Sequence, residues 1–440
     1  MHAEPLHRKE SFVAAAGFVV VALMAGITGG SLSPATADVA PLVASTAPVG
    51  QWFHAVTPVR IIDSRPAPSR VGPLATWGEQ QTQDVTVVGG SSGVPDTATA
   101  VVLNVTGLNA TKANDYVSIW PSGATQPTVS SLNLDPGQTK ANQVTVKVGS
   151  GSGHAGKVSI FNADGTADVV VDVNGYYDPT AGDGFTSVSP SRILDSRTGP
   201  QHVGSATTWT AGQTQQVAVA SLGGVPADAD AVVLNVTATN GTADGNYLSI
   251  WPAGAPQATV SSLNVDAGRS VPNAVTVKLG SGGSNQGQLS IFSADGTQDV
   301  IIDVAGYFKA GSGKAFYPLV PTRLIDSRDV DHIGPLWNWT DDLIQLLPVA
   351  GQVGVPVGAD SVVTNVTATS GQINGDYLTI YPAGSGMPVV SSLNIDAYEP
   401  AVANAVTARL GAVDPYRGQI AIYNAAGILN VIIDVYGYYA

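Results

Sequence analysis

Residues 192–197 read RILDSR and residues 303–308 read DVAGYF, and two close variants of each phrase occur elsewhere in the chain, RIIDSR and RLIDSR for the first and DVNGYY and DVYGYY for the second. Two shorter phrases, NVT and SSLN, stand between them in every copy. In order, the phrases lie at 60–65, 104–106, 130–133 and 172–177; at 192–197, 235–237, 261–264 and 303–308; and at 323–328, 365–367, 391–394 and 434–439. The offset between copies is about 131 residues, which is the length of a domain rather than of a solenoid unit.

Each copy has its own opening and closing phrase, so the sequence predicts three tandem domains. Their predicted bounds are 51–178, 185–308 and 316–440, called copies one, two and three below. The joints between them are short and rich in small or polar residues. We therefore expect the copies to fold independently, like beads.

The composition is typical of an all-β protein with many turns. The chain has 50 Gly, 28 Pro and only 12% charged residues. Copy two shows about eight short strand patterns, which favour a β-sandwich of jelly-roll or related topology without fixing the strand order. The strands predicted at 288–293 and 299–304 are expected to form a hairpin across 294–297, where Asp-Gly is a strong turn signal.

The first residues have the pattern of a secretory signal peptide. Arg8 and Lys9 precede an uncharged apolar run at 12–27, and Ala35-Thr36-Ala37 follows as a small-residue cleavage site. We predict a signal peptide at 1–37 and a flexible linker at 38–50, with an uncleaved membrane anchor as the alternative. The expected location is extracellular or at the cell surface, with no membrane contact after cleavage.

Charge and cysteine content restrict the partners. The formal net charge is -14, which argues against nucleic acid and anionic lipid. The chain has no Cys, so an exported form depends on its cores rather than on disulfides. No cofactor or metal is expected.

The phrases resemble a tandem repeat found in exported proteins of actinobacteria. That pattern opens with R-[IL]-[IL]-D-S-R, continues with N-V-T and S-S-L-N, and closes with D-V-x-G-Y-[YF], and it covers essentially the whole chain after residue 50. The resemblance implies an accessory or surface module and does not itself imply an activity.

Arginine and aspartate in the opening and closing phrases form the first candidate site. One interpretation is a sugar or ion clamp. The favoured one is structural: an arginine of the opening phrase pairs with the aspartate of the closing strand and holds two distant strands together. The residues are Arg60, Asp63, Arg65 and Asp172; Arg192, Asp195, Arg197 and Asp303; and Arg323, Asp326, Arg328 and Asp434.

Aromatic residues at repeated positions form the second candidate site. An exposed flat ring binds a sugar face, whereas a ring that closes the end of a sandwich is packed. Both interpretations stay open, and three copies of a stacking site would raise avidity for a polymer. The residues are Trp120, Trp251 and Tyr381, each directly before a proline, and Tyr116, Tyr247 and Tyr377, four positions earlier.

No nucleophile motif is present, and triplicated similar domains argue against a single catalytic centre. The leading hypothesis is therefore a secreted, non-catalytic surface or matrix protein whose modules bind carbohydrate or cell-wall polysaccharide. The first alternative is a structural subunit of a fibre, sheath or other extracellular assembly, in which the chain is its own partner. The second alternative is a secreted hydrolase with an unrecognised carboxylate pair.

Overall fold

Segments rich in Val, Ile and Thr form short strands throughout residues 48–397 and 399–440, the part of the chain that this computed structural model describes. The predicted signal peptide, and the predicted linker up to residue 47, lie outside the described residues. In the described part, no helix is both long enough and apolar enough to cross a membrane. Two single-turn 3₁₀ helices are present, at Gly90–Ser92 and Gly283–Asn285.

Every copy contributes the same succession of strands. Copy one contains β1 (Trp52–Asp63), β2 (Gln81–Thr86), β3 (Ala100–Leu108), β4 (Asp115–Pro121), β5 (Leu132–Leu134), β6 (Lys140–Lys147), β7 (Lys157–Asn162) and β8 (Asp168–Asp178). Copy two contains β9 (Asp183–Asp195), β10 (Trp209–Thr210), β11 (Thr214–Ala218), β12 (Ala231–Thr239), β13 (Asn246–Pro252), β14 (Leu263–Val265), β15 (Val271–Lys278), β16 (Gln288–Ser293) and β17 (Thr297–Ala310). Copy three contains β18 (Phe316–Asp326), β19 (Leu343–Pro348), β20 (Ser361–Thr369), β21 (Asp376–Pro382), β22 (Leu393–Ile395), β23 (Ala401–Arg409), β24 (Gln419–Asn424) and β25 (Asn430–Tyr439).

Each copy is a jelly roll. In copy one, the strand orders are β1-β8-β3-β6 in the first sheet and β2-β7-β4-β5 in the second, and all neighbours are antiparallel. Copies two and three repeat these orders as β9-β17-β12-β15 with β11-β16-β13-β14, and as β18-β25-β20-β23 with β19-β24-β21-β22. The all-β, jelly-roll-like fold class is thus confirmed, and the strand order left open by the sequence is settled.

The predicted hairpin is wrong. Strands β16 and β17 are consecutive, yet β16 pairs with β11 and β13, whereas β17 pairs with β12 and β9. The turn at 294–297 therefore carries the chain from one sheet of the sandwich to the other. Gly296 has a φ of 55°, so the Asp-Gly pair marks a sharp turn, as expected, but not strand pairing.

A tryptophan is buried at the same position in the core of every sandwich. Trp77, Trp209 and Trp339 are fully buried. The indole N–H of each donates to a backbone carbonyl, that of Ile160, Ile291 or Ile422, at 2.9, 2.9 and 3.1 Å. The ring therefore gains burial without leaving its polar atom unpaired.

The three copies are not arranged as separate beads, because they pack against one another. Residues 48–440 form one compact unit in which the copies contact each other in a closed cycle. Opening strands link successive copies: Phe53 pairs with Asp183, and the backbone N–H groups of Gln51 and Phe316 donate to each other's carbonyls at 2.8 Å. The composition predicts flexible joints, but strand β9 begins at Asp183, within the first joint, and pairs there with strand β1 of copy one.

A belt of asparagines closes the cycle halfway along the first sheets. Asn273 donates to the carbonyl of Ser262 at 2.6 Å and to Oδ1 of Asn104 in copy one at 2.8 Å, and its own Oδ1 accepts from the N–H of Gln143 at 3.1 Å. Asn142 and Asn404 make the same three bonds, with Ser131, Asn365 and Ala405 and with Ser392, Asn235 and Ala274. The copies are therefore related by an approximate threefold axis.

Six aromatic rings fill one end of this axis. Each copy supplies one ring from its opening strand and one from its closing strand: Phe53, Tyr177, Phe185, Phe308, Phe316 and Tyr439. Rings from different copies stack, with centroids 4.1 Å apart for Phe53 and Phe308 and 4.2 Å for Phe185 and Tyr439. The hydroxyls of Tyr177 and Tyr439 are 2.6 Å apart, and copy two has Phe308 at the third position. Burial raises the pKa of both tyrosines, so both stay neutral hydrogen-bonding groups.

Candidate functional site

The arginine and aspartate residues of the opening and closing phrases come together in every copy. Arg60 donates from Nε and Nη2 to the two carboxylate oxygens of Asp172 at 2.9 and 3.1 Å. Arg192 and Asp303 pair at 2.9 and 3.2 Å, and Arg323 and Asp434 at 2.5 and 3.2 Å. The pair joins neighbouring strands, as in β1 and β8, which begin and end the copy.

The second arginine of each opening phrase binds the aspartate two residues before it. Arg65 donates to Asp63 at 2.9 and 2.6 Å, and Arg197 with Asp195 and Arg328 with Asp326 repeat these distances. About a third of the Arg65 side chain remains exposed. The phrase is thus a paired structural element with one guanidinium edge open to solvent.

Burial and pairing act on these carboxyl groups in opposite directions. Burial is the largest influence on Asp172, Asp303 and Asp434 and raises the pKa of each, against the opposing effect of the paired arginine. Burial also acts to raise the pKa of Asp63, but its bonds to Arg65 outweigh it and lower that pKa overall. All four carboxylates are buried and bonded, so none is an open acid or base for a substrate.

The rings directly before proline are not stacking platforms. Trp120, Trp251 and Tyr381 are each only 4% exposed. The indole N–H of Trp251 donates to the carbonyl of Ala255 at 3.0 Å, and its ring packs against Val260. The loop that follows each ring folds back over it, so ligand stacking at these three positions is wrong.

The tyrosines four positions earlier are more accessible. Tyr116, Tyr247 and Tyr377 are half-buried, and each ring lies 6.2 Å from the ring of Phe161, Phe292 or Tyr423 on the neighbouring strand. Two of them, Tyr116 and Tyr247, line grooves between copies.

The grooves form where the opening phrase of one copy meets the second sheet of the next copy. Groove 1/2 has a volume of about 480 Å³ and continues into a neighbouring hollow of about 610 Å³. Groove 3/1 has a volume of about 440 Å³ and the same kind of lining. The lining combines guanidinium, phenol, amide and hydroxyl groups, from Arg60, Arg65, Tyr247, Gln257, Thr259 and Asn264 in groove 1/2 and from Arg323, Arg328, Tyr116, Thr128, Asn133 and Thr369 in groove 3/1.

The equivalent loop of copy three is different. The segment after Trp251 reads PAGAPQATV, and the segment after Tyr381 reads PAGSGMPVV. Met387 and Val389 thus replace Gln257 and Thr259, and Val389 is 86% exposed. Grooves 1/2 and 3/1 are therefore polar, and the equivalent loop of copy three is apolar.

Sequence reasoning did not find these grooves or the asparagine belt. The sequence shows Asn104 only as part of the NVT phrase at 104–106. Its hydrogen-bond partners, Asn273 and Ser261, lie in copy two and cannot be inferred from copy one alone. The only signal in the sequence is the equal offset between phrases. In a closed cycle of three copies, the same contact recurs at each junction between copies, and the contacts of the belt asparagines recur in this way. In residues 48–397 and 399–440, no group of three or more acidic or histidine side chains is placed to hold a metal ion.

Comparison with known proteins identifies no family. No family model matches the chain, and no curated protein matches it. The similar solved structures include one of the Sulfolobus turreted icosahedral virus, which is 8% identical over 88% of this chain and 91% of that chain, with a TM-score of 0.17. Another describes a triple jelly roll fold and turret assembly in an archaeal virus and is 8% identical over 89% of this chain and 91% of that chain, with a TM-score of 0.16. At these TM-scores the likeness supports no argument, and the fold rests on the strand order of this chain.

Proposed function

We propose that this chain is an exported, non-catalytic structural subunit that assembles with further copies of itself outside the cell. The observation that carries the proposal is the distribution of exposed apolar side chains. Thirteen of the sixteen large exposed apolar side chains in the described residues lie in copy three. The sandwiches are alike, so this concentration is a property of the surface and not of the fold.

Strand β19 is the centre of this surface. It is the terminal strand of its sheet, and Ile344 and Leu346 point outward, 46% and 38% exposed. Trp337 is 54% exposed, and its carbonyl accepts a hydrogen bond from Gln345 of β19 at 3.2 Å. We call Trp337, Ile344 and Leu346 the copy-three face.

The equivalent edge strands of the other copies are polar. Copy one has Thr82 and Asp84 at the positions of Ile344 and Leu346, and copy two has Thr214 and Gln216. A charge on an edge strand opposes pairing with another chain, and β19 has none. Antiparallel pairing of two β19 strands places Ile344 opposite Leu346, and it keeps the preceding Asp341 and Asp342 at opposite ends of the pair.

The test replaces the two β19 residues of the copy-three face by the residues that copy one has at the same positions. In the double variant Ile344→Thr/Leu346→Asp, we expect the concentration-dependent dimers or larger assemblies of the parent chain to become monomers, measured by light scattering after size-exclusion chromatography. Thr214→Ser/Gln216→Asn at the same positions of β11, where both side chains are exposed and uncharged, is the matched control and should assemble like the parent. A parent chain that stays monomeric at millimolar concentration contradicts the proposal.

Export is part of the proposal and has its own measurement. Mass spectrometry of protein recovered from the culture medium should give a chain that begins at Asp38, because the A-x-A site ends at Ala37. Full-length chain found only in the membrane fraction contradicts this prediction.

Binding of a wall polysaccharide is the second candidate function, and the two polar grooves favour it. A half-buried ring beside guanidinium and hydroxyl groups suits a hydroxyl-rich chain, and groove 1/2 continues into a second hollow of about 610 Å³. Co-sedimentation with insoluble cell wall should fall when Tyr247→Ala or Thr259→Val removes one groove. Tyr377→Ala, beside the apolar loop, is the control and should bind normally; parent protein that stays in the supernatant with every polysaccharide contradicts this function.

A further inference from the structure

A pocket opens on the approximate threefold axis, at the end away from the six aromatic rings. It has a volume of about 180 Å³ and is lined by residues of the turn segments 132–141, 264–272 and, in copy three, 394–397 and 399–403. Its apolar part includes Leu132, Val271 and Val402. An apolar cavity of about 150 Å³ accommodates benzene, so this pocket has room for a compact organic molecule.

The charges around the pocket do not balance. Lys140 and Arg269 face three carboxylates, those of Asp266, Asp396 and Glu399. Lys140 is paired with Glu399 at 3.1 Å and Arg269 with Asp396 at 2.6 Å, and each of these pairs joins two copies. Asp266 is the third carboxylate, and its described hydrogen bond is to the backbone N–H of Gly245 at 2.8 Å. The lining therefore carries one more negative charge than positive charge.

An acceptor in the lining is also unused. Oε1 of Gln138 is buried and has no hydrogen-bond partner among the described residues. A buried acceptor without a partner destabilises the folded chain, and a ligand that donates a hydrogen bond to it removes that cost. Gln138 and Asp266 can thus both accept a hydrogen bond from a ligand. The carboxylate of Asp266 favours a hydrogen-bond donor that carries a positive charge.

We propose that this axial pocket binds a small organic ammonium ion, with the ammonium group between Asp266 and Gln138 and a short apolar body against Leu132, Val271 and Val402. The site requires all three copies, because each supplies part of the lining. It adjoins the polar grooves, because Asn264 also lines groove 1/2 and Asn133 also lines groove 3/1, but it does not include the copy-three face, so it does not rest on the proposed self-assembly.

The test uses the purified full chain and n-hexylammonium as the probe, measured by isothermal titration calorimetry. We expect saturable binding at one site, at least about tenfold tighter than n-hexanol, which has the same body without the charge, and no binding of n-hexanoate. Equal affinities for the ammonium ion and the alcohol, or no saturable binding, overturn the proposal.

Two variants locate the ammonium group. Asp266→Asn and Gln138→Leu should each weaken n-hexylammonium binding by about fivefold or more while leaving n-hexanol unchanged. Asp135→Asn changes the equivalent turn aspartate of copy one, which does not line the pocket and whose Oδ1 accepts from the N–H of Asn114 at 2.9 Å. If Asp135→Asn weakens binding as much as Asp266→Asn, the effect comes from the turns and the proposal is wrong.

Discussion

A single missing Cβ explains why glycine recurs in every closing phrase. In copy two, a Cβ on Gly306 would lie 2.3 Å from Cζ of Phe185, and in the other copies Gly175 and Gly437 face Phe53 and Phe316 at 2.5 and 2.4 Å. The opening-strand ring lies directly over the closing strand because this position has no side chain. The glycine of each closing phrase therefore leaves the space in which the opening-strand ring packs near the threefold axis.

Gly306→Ala should destabilise the protein, since Phe185 and its stacked neighbours have no free space. We expect a loss of about 1–3 kcal/mol in the free energy of unfolding, measured by urea denaturation. Gly358→Ala is the control, because nothing lies within 4 Å of its added Cβ. Equal effects of the two substitutions would show that the ring contact is unimportant.

Asp183 is a second residue with a measurable effect. Burial, together with the charge of Asp230, raises the pKa of its carboxyl from 3.8 to about 6 at the junction of copies one and two. The folded chain thus holds this proton more tightly than the unfolded chain. The stability that the group contributes is fully present below about pH 4 and is lost as the pH rises through about 6.

Asp183→Asn should therefore be more stable than the parent chain at pH 7.5, by about 1 kcal/mol after allowance for solvent screening, and nearly equal to it at pH 4. Thermal unfolding at both pH values measures the difference. A constant difference across this range would contradict the assignment to Asp183.

At the scale of the element, strand positions were predictable and strand partners were not. The bounds predicted for 288–293 agree with β16, because alternation of apolar residues is a local property. The pairing of β16 was mispredicted, since a jelly roll places consecutive strands in opposite sheets. The arginine–aspartate pairs could be predicted because both partners recur in the opening and closing phrases of every copy. The grooves could not, because they depend on contacts between copies.

The asparagine belt is the element that joins the first sheets of the three copies. Asn273→Ala removes three hydrogen bonds and leaves the buried N–H of Gln143 and the side-chain oxygen of Asn104 without their partner. We expect a loss of about 3 kcal/mol in the free energy of unfolding, measured by urea denaturation. Asn338→Ala, on an exposed side chain, should change stability by less than about 0.5 kcal/mol; a similar small change at Asn273 would mean that the belt is not stabilising.

For the whole molecule, the closed cycle predicts one cooperative unfolding transition. A fragment of residues 183–310 exposes Phe185, Phe308 and its side of two belt contacts, those of Asn273 and Asn235, so it should be unfolded or much less stable than the full chain. Differential scanning calorimetry with near-ultraviolet circular dichroism measures both. Three separate transitions, or a fragment as stable as the intact chain, would restore the picture of independent domains.

Covalent linkage of the three copies has a consequence for how the surface can vary. In a symmetric homotrimer, every substitution is made three times, so an exposed tryptophan on one subunit is an exposed tryptophan on all. In this chain the belt and the aromatic end keep their threefold pattern, while Trp337 and the apolar residues of β19 occur once. A single gene thereby specifies a trimer-like body with one apolar side, so the proposed pairing of β19 with β19 closes at two chains, whereas three such sides would link chains into a branched network.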